Sequence, residues 1–270
     1  MLDTRLVTTR EGHKLRVARV GRGSPPLVLL HGYPETLQIF CRLVSLLARH
    51  VEVIAFDWPG MGASEPWSGG ASPVHMAKRL IRVLDELKLS KVHLAAIDMG
   101  GQPALVAAAE YPERIEKLVV MNSLVLWDEP TSWEIRFLRQ HGWNRFLIER
   151  FPRIVFRRAE RTFLERPAKL PQELRSDFWE HFRRADVRRF ISRMCGGYQG
   201  FLPELPRYYE KIRRPTLALW GERDHHFPPS HGERLAELVL GAEVELVAEA
   251  GHWMVWSHAK SVASSIEHFL

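Results

Sequence analysis

The sequence is poor in cysteine and contains no long apolar run. Cys41 and Cys195 are the only cysteines among 270 residues, so a disulfide framework is not expected. Apolar runs such as Leu27–Leu30 are far shorter than the roughly 20 residues that a membrane-spanning helix needs. The first ten residues, MLDTRLVTTR, carry charges where an export signal requires an apolar stretch. These absences predict a cytoplasmic protein with no membrane partner.

The sequence also lacks the spacings that mark metal sites and nucleic-acid-binding motifs. It has 13 histidines, but neither H-E-x-x-H nor paired cysteines occur, so no metal and no cofactor are predicted. Positive charge is concentrated in residues 125–207, which hold 17 basic and 11 acidic residues. A basic segment could bind nucleic acid or an acidic membrane. However, its arginines alternate with glutamates such as Glu149 and Glu160 at helical spacing, which favours a solvated helix face and no nucleic-acid partner.

The first part of the chain alternates short apolar strands with helical patterns. Continuous apolar runs that are too short for buried helices indicate strands, and apolar residues at helical spacing indicate helices between them. Strands that are buried on both faces and separated by helices predict an α/β fold with a mostly parallel sheet. The predicted strands are Leu27–Leu30, Val51–Phe56, Val92–Ile97 and Lys117–Met121, and the predicted helices are Val74–Leu89 and Gln102–Glu110.

This alternation stops near Leu126 and resumes near Arg207. Strand patterns return at Thr216–Trp220 and Val244–Val247, and a helical pattern at Ser261–Leu270 closes the chain. The sequence therefore predicts one core in two parts, residues 1–125 and 208–270, interrupted by an α-helical lid at residues 126–207. An insertion after the carboxyl end of a strand lies above the edge where open α/β sheets bind ligands.

One segment between a predicted strand and a predicted helix carries the strongest chemical signal. In residues 95–101, AAIDMGG, small residues flank Asp98 two positions away on each side. Such neighbours permit the sharp turn called a nucleophile elbow, which raises its central side chain above the sheet edge. The usual elbow has serine at its centre, and no G-x-S-x-G occurs in this chain. Asp98 is therefore a candidate nucleophile, although an aspartate in this place could instead cap the helix.

Further strand-end segments fit the same chemistry. A backbone amide in the HGYP segment, residues 31–34, could form an oxyanion hole with the amide of Met99. Asp224 and His252 each follow one of the last two strands, which gives the order nucleophile, acid and histidine. Taken alone, Asp224 could be a turn residue and His252 a packed histidine. The ordered set predicts a catalytic triad.

With these segments the whole chain resembles the α/β-hydrolase fold family. The resemblance rests on HGYP at 31–34, DWPGMGAS at 57–64, AIDMGG at 96–101, WGERD at 220–224 and AGHW at 250–253. Aspartate at the elbow is similar to the epoxide hydrolase and haloalkane dehalogenase branch of that family. The resemblance implies helices on both faces of the sheet and an inserted helical lid.

A carboxylate at the elbow suits attack on an sp³ carbon, because it stays ionised at neutral pH and displaces a leaving group. Asp98 would open an epoxide or expel a halide and become an ester. His252, oriented by Asp224, would then activate water to hydrolyse that ester. The amides of Tyr33 and Met99 would stabilise the oxyanion that forms on Asp98. This chemistry requires no metal and no organic cofactor.

The groups that handle the leaving atom separate an epoxide from a halide. Epoxide hydrolases have two lid tyrosines for this purpose, whereas haloalkane dehalogenases have Trp and Trp or Asn donors. Here Met99 and Tyr33 stand at the halide-donor positions, and Tyr198 stands near the place of the second lid tyrosine. By the same resemblance, His141 or Trp143 would be the first lid donor. The stretch after Asp98 has no arginine, which disfavours a fluoroacetate dehalogenase.

The lid is rich in aromatic residues, which predicts an apolar pocket. We expect a small neutral substrate that is apolar or aromatic, and a protein that is a monomer or a homodimer. The first prediction is thus an epoxide hydrolase, the second a dehalogenase with the same triad, and the third a binding protein without catalysis. The predicted pocket residues are His31, Pro34, Trp127, Trp143 and Trp253.

Overall fold

The fold was analysed in a computed structural model that describes residues 1–140, 142–165 and 168–270. Within these residues, eight strands form a single sheet, with the order β1-β2-β4-β3-β5-β6-β7-β8. The strands are β1 Arg5–Thr8, β2 Lys14–Val20, β3 Leu27–Leu30, β4 Val53–Phe56, β5 Val92–Ile97, β6 Ile115–Met121, β7 Thr216–Gly221 and β8 Glu243–Val247.

Strands β3 to β8 pair in parallel, and β1 and β2 add an antiparallel edge. The predicted α/β fold with a mostly parallel sheet is therefore confirmed. Every residue of β3, β4, β5 and β7 is buried, which explains why these strands read as unbroken apolar runs.

The antiparallel edge strands were not predicted from the sequence. Strand β1 is mostly exposed and has only four residues, so its pattern carries no burial signal. Strand β2 contains Arg16, a charged residue in a buried position. Its guanidinium lies against the carboxylates of Asp57 and Asp177, and this pairing permits its burial.

Helices connect the parallel strands in crossover units. The helices of the core are α1 Cys41–Leu47, α2 Pro73–Glu86, α3 Gly101–Glu110, α10 Ser230–Leu238, α11 Met254–Ser257 and α12 Ala259–Phe269. Helix α2 begins at Pro73, and the Ser72 hydroxyl caps it by accepting a hydrogen bond from the amide of His75. The three helices predicted in the core occur within a few residues of the expected bounds.

Helices also fill the interval between β6 and β7, and no strand occurs there among the described residues. These inserted helices are α4 Trp133–Gln140, α5 Gly142–Arg150, α6 Pro152–Thr162, α7 Gln172–Phe182, α8 Ala185–Phe201 and α9 Pro206–Tyr209. They lie at the carboxyl edge of the sheet, because they leave the core after β6 and return before β7.

Hydrogen bonds tie the inserted helices to the core. Asp177 in α7 accepts hydrogen bonds from the Arg16 guanidinium at 2.9 Å and from the Thr36 hydroxyl at 2.5 Å. The amide of Trp253 donates to the carbonyl of Phe163 at 2.9 Å, just after α6. In the described part of the chain, no helix is both long and apolar enough to cross a membrane.

Candidate active site

Asp98 lies at a strained turn between β5 and α3. Its φ is 51°, in the left-handed region that side chains other than glycine seldom adopt. The turn depends on close neighbours without side chains: a Cβ atom on Gly100 would lie 2.7 Å from the Leu30 carbonyl oxygen, and one on Gly32 would overlap the Asp98 carboxylate. The local sequence thus folds as an elbow that directs Asp98 away from the sheet.

The Asp98 carboxylate is buried and is held by backbone amides. The amide of Tyr33 donates to Oδ2 of Asp98 at 2.9 Å, and the amide of Met99, the next residue, also favours the charged carboxylate. Burial raises the pKa of Asp98, whereas the charge of His252 and these two amides act in the opposite direction. One carboxylate oxygen therefore already occupies the place that the sequence predicts for an oxyanion hole.

Asp224 and His252 form a buried acid–histidine pair at the ends of β7 and β8. The Nδ1 atom of His252 lies 2.8 Å from Oδ2 of Asp224. The other oxygen of Asp224 accepts from the amides of His226 at 2.9 Å and Phe227 at 3.2 Å. Burial alone would raise the pKa of Asp224, but His252 and these amides hold it below its usual value. The pair fixes the His252 ring with Nδ1 as the donor and Nε2 directed elsewhere.

Nε2 of His252 is buried and has no hydrogen-bond partner among the described residues. Burial alone would lower the pKa of His252, but the carboxylates of Asp224, Asp98 and Glu35 raise it to about 9. The negative charge of Asp98 is one of the causes that raise the pKa of His252. A buried, unpartnered ring nitrogen has the chemistry of a base that acts on water or substrate.

Glu35 is a buried carboxyl that sequence reasoning missed. Its Oε1 accepts from the Gly32 amide at 2.9 Å, and its Oε2 accepts from the Trp253 indole at 3.2 Å. Burial, together with the charge of Asp98, raises the pKa of Glu35 to about 7. The signal for it was an acidic residue directly after the HGYP segment, at the end of a buried strand.

Asn122 is a second missed residue, and it joins three parts of the site. Its side-chain amide donates to the carbonyls of Gly251 at 3.0 Å and His252 at 2.8 Å. Its Oδ1 accepts from the Gly221 amide at 2.8 Å, and its backbone carbonyl accepts from the Asp98 amide at 3.2 Å. The signal was a polar residue at the carboxyl end of the predicted strand Lys117–Met121.

A small inner cavity of about 20 Å³ lies over the elbow. Asp98, Tyr198 and Gln102 line it together with apolar side chains from the inserted helices. Burial raises the pKa of Tyr198 well above its usual value, so its hydroxyl keeps its proton at neutral pH. Oε1 of Gln102 is buried and without a hydrogen-bond partner among the described residues. The side chains of Asp98, Tyr198 and Gln102 therefore share one cavity, and Gln102 lies close enough to Tyr198 to affect its pKa.

A larger apolar outer cavity of about 270 Å³ adjoins the inner one. Four side chains line both cavities and form the wall between them. The ring centroid of Phe163 lies 4.5 Å from that of His252, which places this wall beside the histidine. The four shared side chains are Tyr33, Ile135, Leu138 and Phe163.

Several residues predicted for the pocket lie elsewhere. His31 is a core residue whose Nδ1 contacts the Gly32 carbonyl at 2.8 Å and whose Nε2 accepts from the Trp58 amide at 3.2 Å. Trp253 is buried beneath the site, where it donates to Glu35, and the Trp127 ring packs on the Arg139 guanidinium. Neither these three residues nor Pro34 lines either cavity in the described structure. The sequence showed which aromatic residues were near the site but not the direction of their rings.

Two predicted lid positions cannot be placed in the site. His141 lies outside the described residues, and so does the side chain of Trp143. The assignment of a first lid donor at residue 141 or 143 therefore stays a prediction.

One group of side chains has the composition of a metal site. Donor atoms of Glu134, His225 and His226 lie within 4.8 Å of one another. However, the Glu134 carboxylate forms an ion pair with Arg158. The ring nitrogens of His226 contact the Ser132 hydroxyl at 2.8 Å and the Thr162 carbonyl at 3.2 Å. The donor atoms of Glu134 and His226 are therefore engaged by other groups of the protein.

Residues 25–259 match the model of the protein family described as the alpha/beta hydrolase fold. A curated relative from Cupriavidus pinatubonensis is 28% identical over 99% of this chain and 95% of its own length. It is named 2-hydroxy-6-oxononadienedioate/2-hydroxy-6-oxononatrienedioate hydrolase.

Solved structures share the fold at lower sequence identity. Cfl2 from Burkholderia cenocepacia has a TM-score of 0.86 and 22% identity, with 98% of this chain and 95% of that chain covered. A putative lipase from Acinetobacter baumannii also has a TM-score of 0.86, with 19% identity and coverage of 99% and 90%.

Proposed function

The chain belongs to the alpha/beta hydrolase fold family, and on that premise we propose that it is an epoxide hydrolase with Asp98 as its nucleophile. The proposal depends above all on one observation. A buried carboxylate at φ 51° replaces the usual serine at the elbow, with one oxygen held by the Tyr33 amide. A carboxylate in this position forms an ester with an sp³ carbon, and hydrolysis of that ester returns the enzyme.

In the first step, Oδ1 of Asp98 attacks a carbon of the epoxide ring. The C–O bond of the ring breaks, and its electron pair goes to the epoxide oxygen. Tyr198 would give that oxygen a proton, since its side chain lines the same cavity and its raised pKa keeps the hydroxyl protonated at neutral pH. Because Oδ2 accepts from the Tyr33 amide, the attack leaves Oδ2 as the carbonyl oxygen of the new ester.

In the second step, water attacks the Asp98 carbonyl carbon. Nε2 of His252 takes a proton from this water, and Asp224 stabilises the imidazolium through the 2.8 Å hydrogen bond. Negative charge develops on Oδ2, where the amide of Tyr33 already donates. This part of the oxyanion hole thus needs no rearrangement between the two steps, which is the condition for effective electrostatic stabilisation. The intermediate then collapses, the bond between Cγ and Oδ1 breaks, and the diol leaves with Oδ1. The leaving alkoxide takes the proton held by His252, and the second proton of the attacking water returns to Tyr198.

The charges of the site also change in the order that the reaction needs. Before attack, the Asp98 carboxylate helps to keep the pKa of His252 raised, at about 9. Formation of the ester removes that negative charge. The pKa of His252 then falls, and the neutral ring becomes available as the base for water.

The cavities favour a small neutral substrate. The inner cavity accommodates little beyond the reacting group, and the outer cavity offers an apolar space for the rest of the molecule. We propose that residues 126–207 act as the lid, since they supply Tyr198, Ile135 and Phe163 to these walls.

The curated relative is named for a dioate, that is, a dicarboxylate substrate. Among its described residues, the inner cavity has no cationic side chain, and Asp98 is the charged group that lines it. A carboxylate bound there would lie near Asp98 without a counter-ion, which is unfavourable in a buried site, and Arg158 of the outer cavity is already paired with Glu134. A dicarboxylate is therefore a less suitable substrate for this chain than a neutral epoxide.

A dehalogenase is the second candidate, because the same triad would expel a halide. The described inner cavity has no indole donor for a halide, since the rings of Trp127 and Trp253 lie elsewhere. Met99 and Tyr33 stand where a dehalogenase has its halide donors, and these two residues favour the epoxide. Parallel assays with an aryl epoxide, followed by diol formation, and a bromoalkane, followed by bromide release, distinguish the two reactions.

A single turnover in ¹⁸O-water tests the proposed nucleophile directly. Because water attacks the Asp98 carbonyl, the label should enter the Asp98 carboxylate, and the first diol should be unlabelled. Label in that first diol would show that water attacks the substrate itself, and the proposed first step would be wrong. If neither substrate is turned over, the protein is a binding protein on this fold or acts on another substrate class.

A further inference from the structure

The outer surface of α4 to α6 exposes apolar side chains to an unusual degree. Trp133 and Ile154 are each 65% exposed, and Phe146 and Phe151 are each 46% exposed. Other large exposed apolar side chains are distant in sequence and belong to the core or to the N-terminal residue. A concentration of exposed apolar groups on one surface marks an interaction site.

These four side chains form one continuous feature. The rings of Phe146 and Phe151 have centroids 6.0 Å apart, and the amide of Ile154 donates to the Phe151 carbonyl at 3.0 Å. Ile154 and Trp133 both line the outer cavity while remaining largely exposed. The apolar feature therefore reaches the outer cavity at Trp133 and Ile154, which line its mouth.

Exposed arginines lie among the apolar side chains. Two of the acidic residues nearby are balanced, because Glu134 pairs with Arg158 and Glu160 pairs with Arg175. Glu149 adds one exposed carboxylate against five exposed arginines. The surface therefore carries net positive charge next to exposed aromatic rings. We call this surface the basic–apolar face; it consists of Trp133, Phe146, Phe151 and Ile154 with Arg136, Arg145, Arg150, Arg153 and Arg157.

We infer that the basic–apolar face docks on the surface of a bilayer that contains anionic lipid. Tryptophan is favoured at the boundary between headgroups and acyl chains, and arginines at that level contact lipid phosphates. A docked bilayer would meet the cavity mouth between Trp133 and Ile154, so an apolar compound dissolved in the lipid could enter without crossing water. The charge pattern in the sequence alone favoured a solvated helix face; the exposure of four apolar side chains among those charges changes that expectation.

Other occupants fit the surface less well. A second copy of this chain would bring two arginine-rich faces together, which is electrostatically unfavourable. A nucleic acid would contact the arginines and stack on aromatic rings. The exposed isoleucine and the apolar cavity mouth would not contribute to its binding. The inference goes beyond the proposed function and does not depend on it, because docking requires no reaction.

Vesicle flotation tests the inference. We expect the full-length protein to float with phosphatidylcholine vesicles that contain 30% phosphatidylglycerol, and to float far less with phosphatidylcholine alone. The double variant Arg150→Gln/Arg157→Gln should bind the anionic vesicles about 25-fold more weakly, since each arginine near such a surface contributes roughly fivefold. Trp133→Ser/Ile154→Ser should weaken binding about tenfold by removing apolar contact.

Matched variants away from this face serve as controls. Arg22→Gln/Arg49→Gln removes two exposed arginines of the core, and Leu240→Ser removes an apolar side chain that is 75% exposed. These variants should bind vesicles like the native protein. Equal loss in control and face variants, or no preference for anionic vesicles, would overturn the inference. Binding to a single-stranded oligonucleotide or to polyglutamate without binding to vesicles would also overturn it and would indicate a polyanionic partner.

Discussion

Nδ1 of His252 lies 2.8 Å from Oδ2 of Asp224, and both side chains are almost completely buried. This bond leaves Nε2 as the atom of the ring that is open to chemistry, and it explains why a histidine with no other described hydrogen-bond partner keeps a fixed orientation.

Replacing His252 by glutamine should trap the ester. Asp98 can still attack, but no base activates water, so the second step stalls. Mass spectrometry after mixing His252→Gln with an aryl epoxide should show the protein heavier by one substrate. Asp98→Asn is the matched control and should show no adduct, because a neutral amide is a very poor nucleophile. An adduct on Asp98→Asn would assign the nucleophile to another residue.

Replacing Tyr198 by phenylalanine should slow ester formation more than ester hydrolysis. Loss of one donor to a developing oxyanion costs about 10²–10³-fold in rate. Rapid-quench kinetics with the epoxide separates the two steps. Tyr209→Phe is a suitable control, because the Tyr209 hydroxyl is also buried but donates to the Val125 carbonyl, away from the cavity. Epoxide opening at the native rate in Tyr198→Phe would show that Tyr198 only packs.

Asp98→Asn should lower the pKa of His252 from about 9, because it removes a carboxylate that helps to raise it. NMR titration of the His252 ring measures this shift, and the surface variant Glu113→Gln should leave it unchanged. The folded-state pKa is above the unfolded value of 6.5, so His252 contributes stability that is complete below pH 6.5 and is lost as the pH rises through 9. An unchanged pKa of His252 in Asp98→Asn would contradict the predicted interaction between the charges of the two residues.

Glu35→Gln should make the stability of the protein less dependent on pH. Burial raises the pKa of Glu35 from 4.5 to about 7, so the folded state binds this proton more firmly than the unfolded chain does. The contribution of Glu35 to the free energy of unfolding therefore decreases as the pH rises from 4.5 to 7. Glu35→Gln has no such proton, so its free energy of unfolding should decrease less over this range. Urea denaturation at pH 5 and pH 8 measures the difference. An identical pH dependence in both proteins would contradict it.

Gly32→Ala should displace the nucleophile. The added Cβ atom would overlap the Asp98 carboxylate and push it away from the Tyr33 amide, so ester formation should fall by at least about 10²-fold. Gly200→Ala is the control, because a Cβ atom there meets nothing within 4 Å and lies in helix α8. That variant should keep its activity and gain up to about 1 kcal/mol in stability. Native activity in Gly32→Ala would mean that the elbow tolerates a side chain there.

The parallel part of the sheet was predictable because strands β3, β4, β5 and β7 are wholly buried and are therefore mostly apolar runs. Strand order along the chain also placed Asp98, Asp224 and His252 at one edge of the sheet. It could not show Glu35 or Asn122, whose importance comes from hydrogen bonds to residues distant in sequence. It also could not give the directions of His31, Trp127 and Trp253, because ring orientation depends on packing rather than on position in the chain.

The side chain of Asn122 joins the loops that carry Asp224 and His252, and its backbone carbonyl holds the amide of Asp98. An opening of the histidine loop alone would leave the buried NH₂ group of Asn122 without acceptors, which is costly in the protein interior. The three loops are therefore expected to open together, as one cooperative unit. The catalytic arrangement would then be lost in the same thermal transition as the sheet, so that warming produces native or unfolded molecules rather than folded molecules with a disassembled centre.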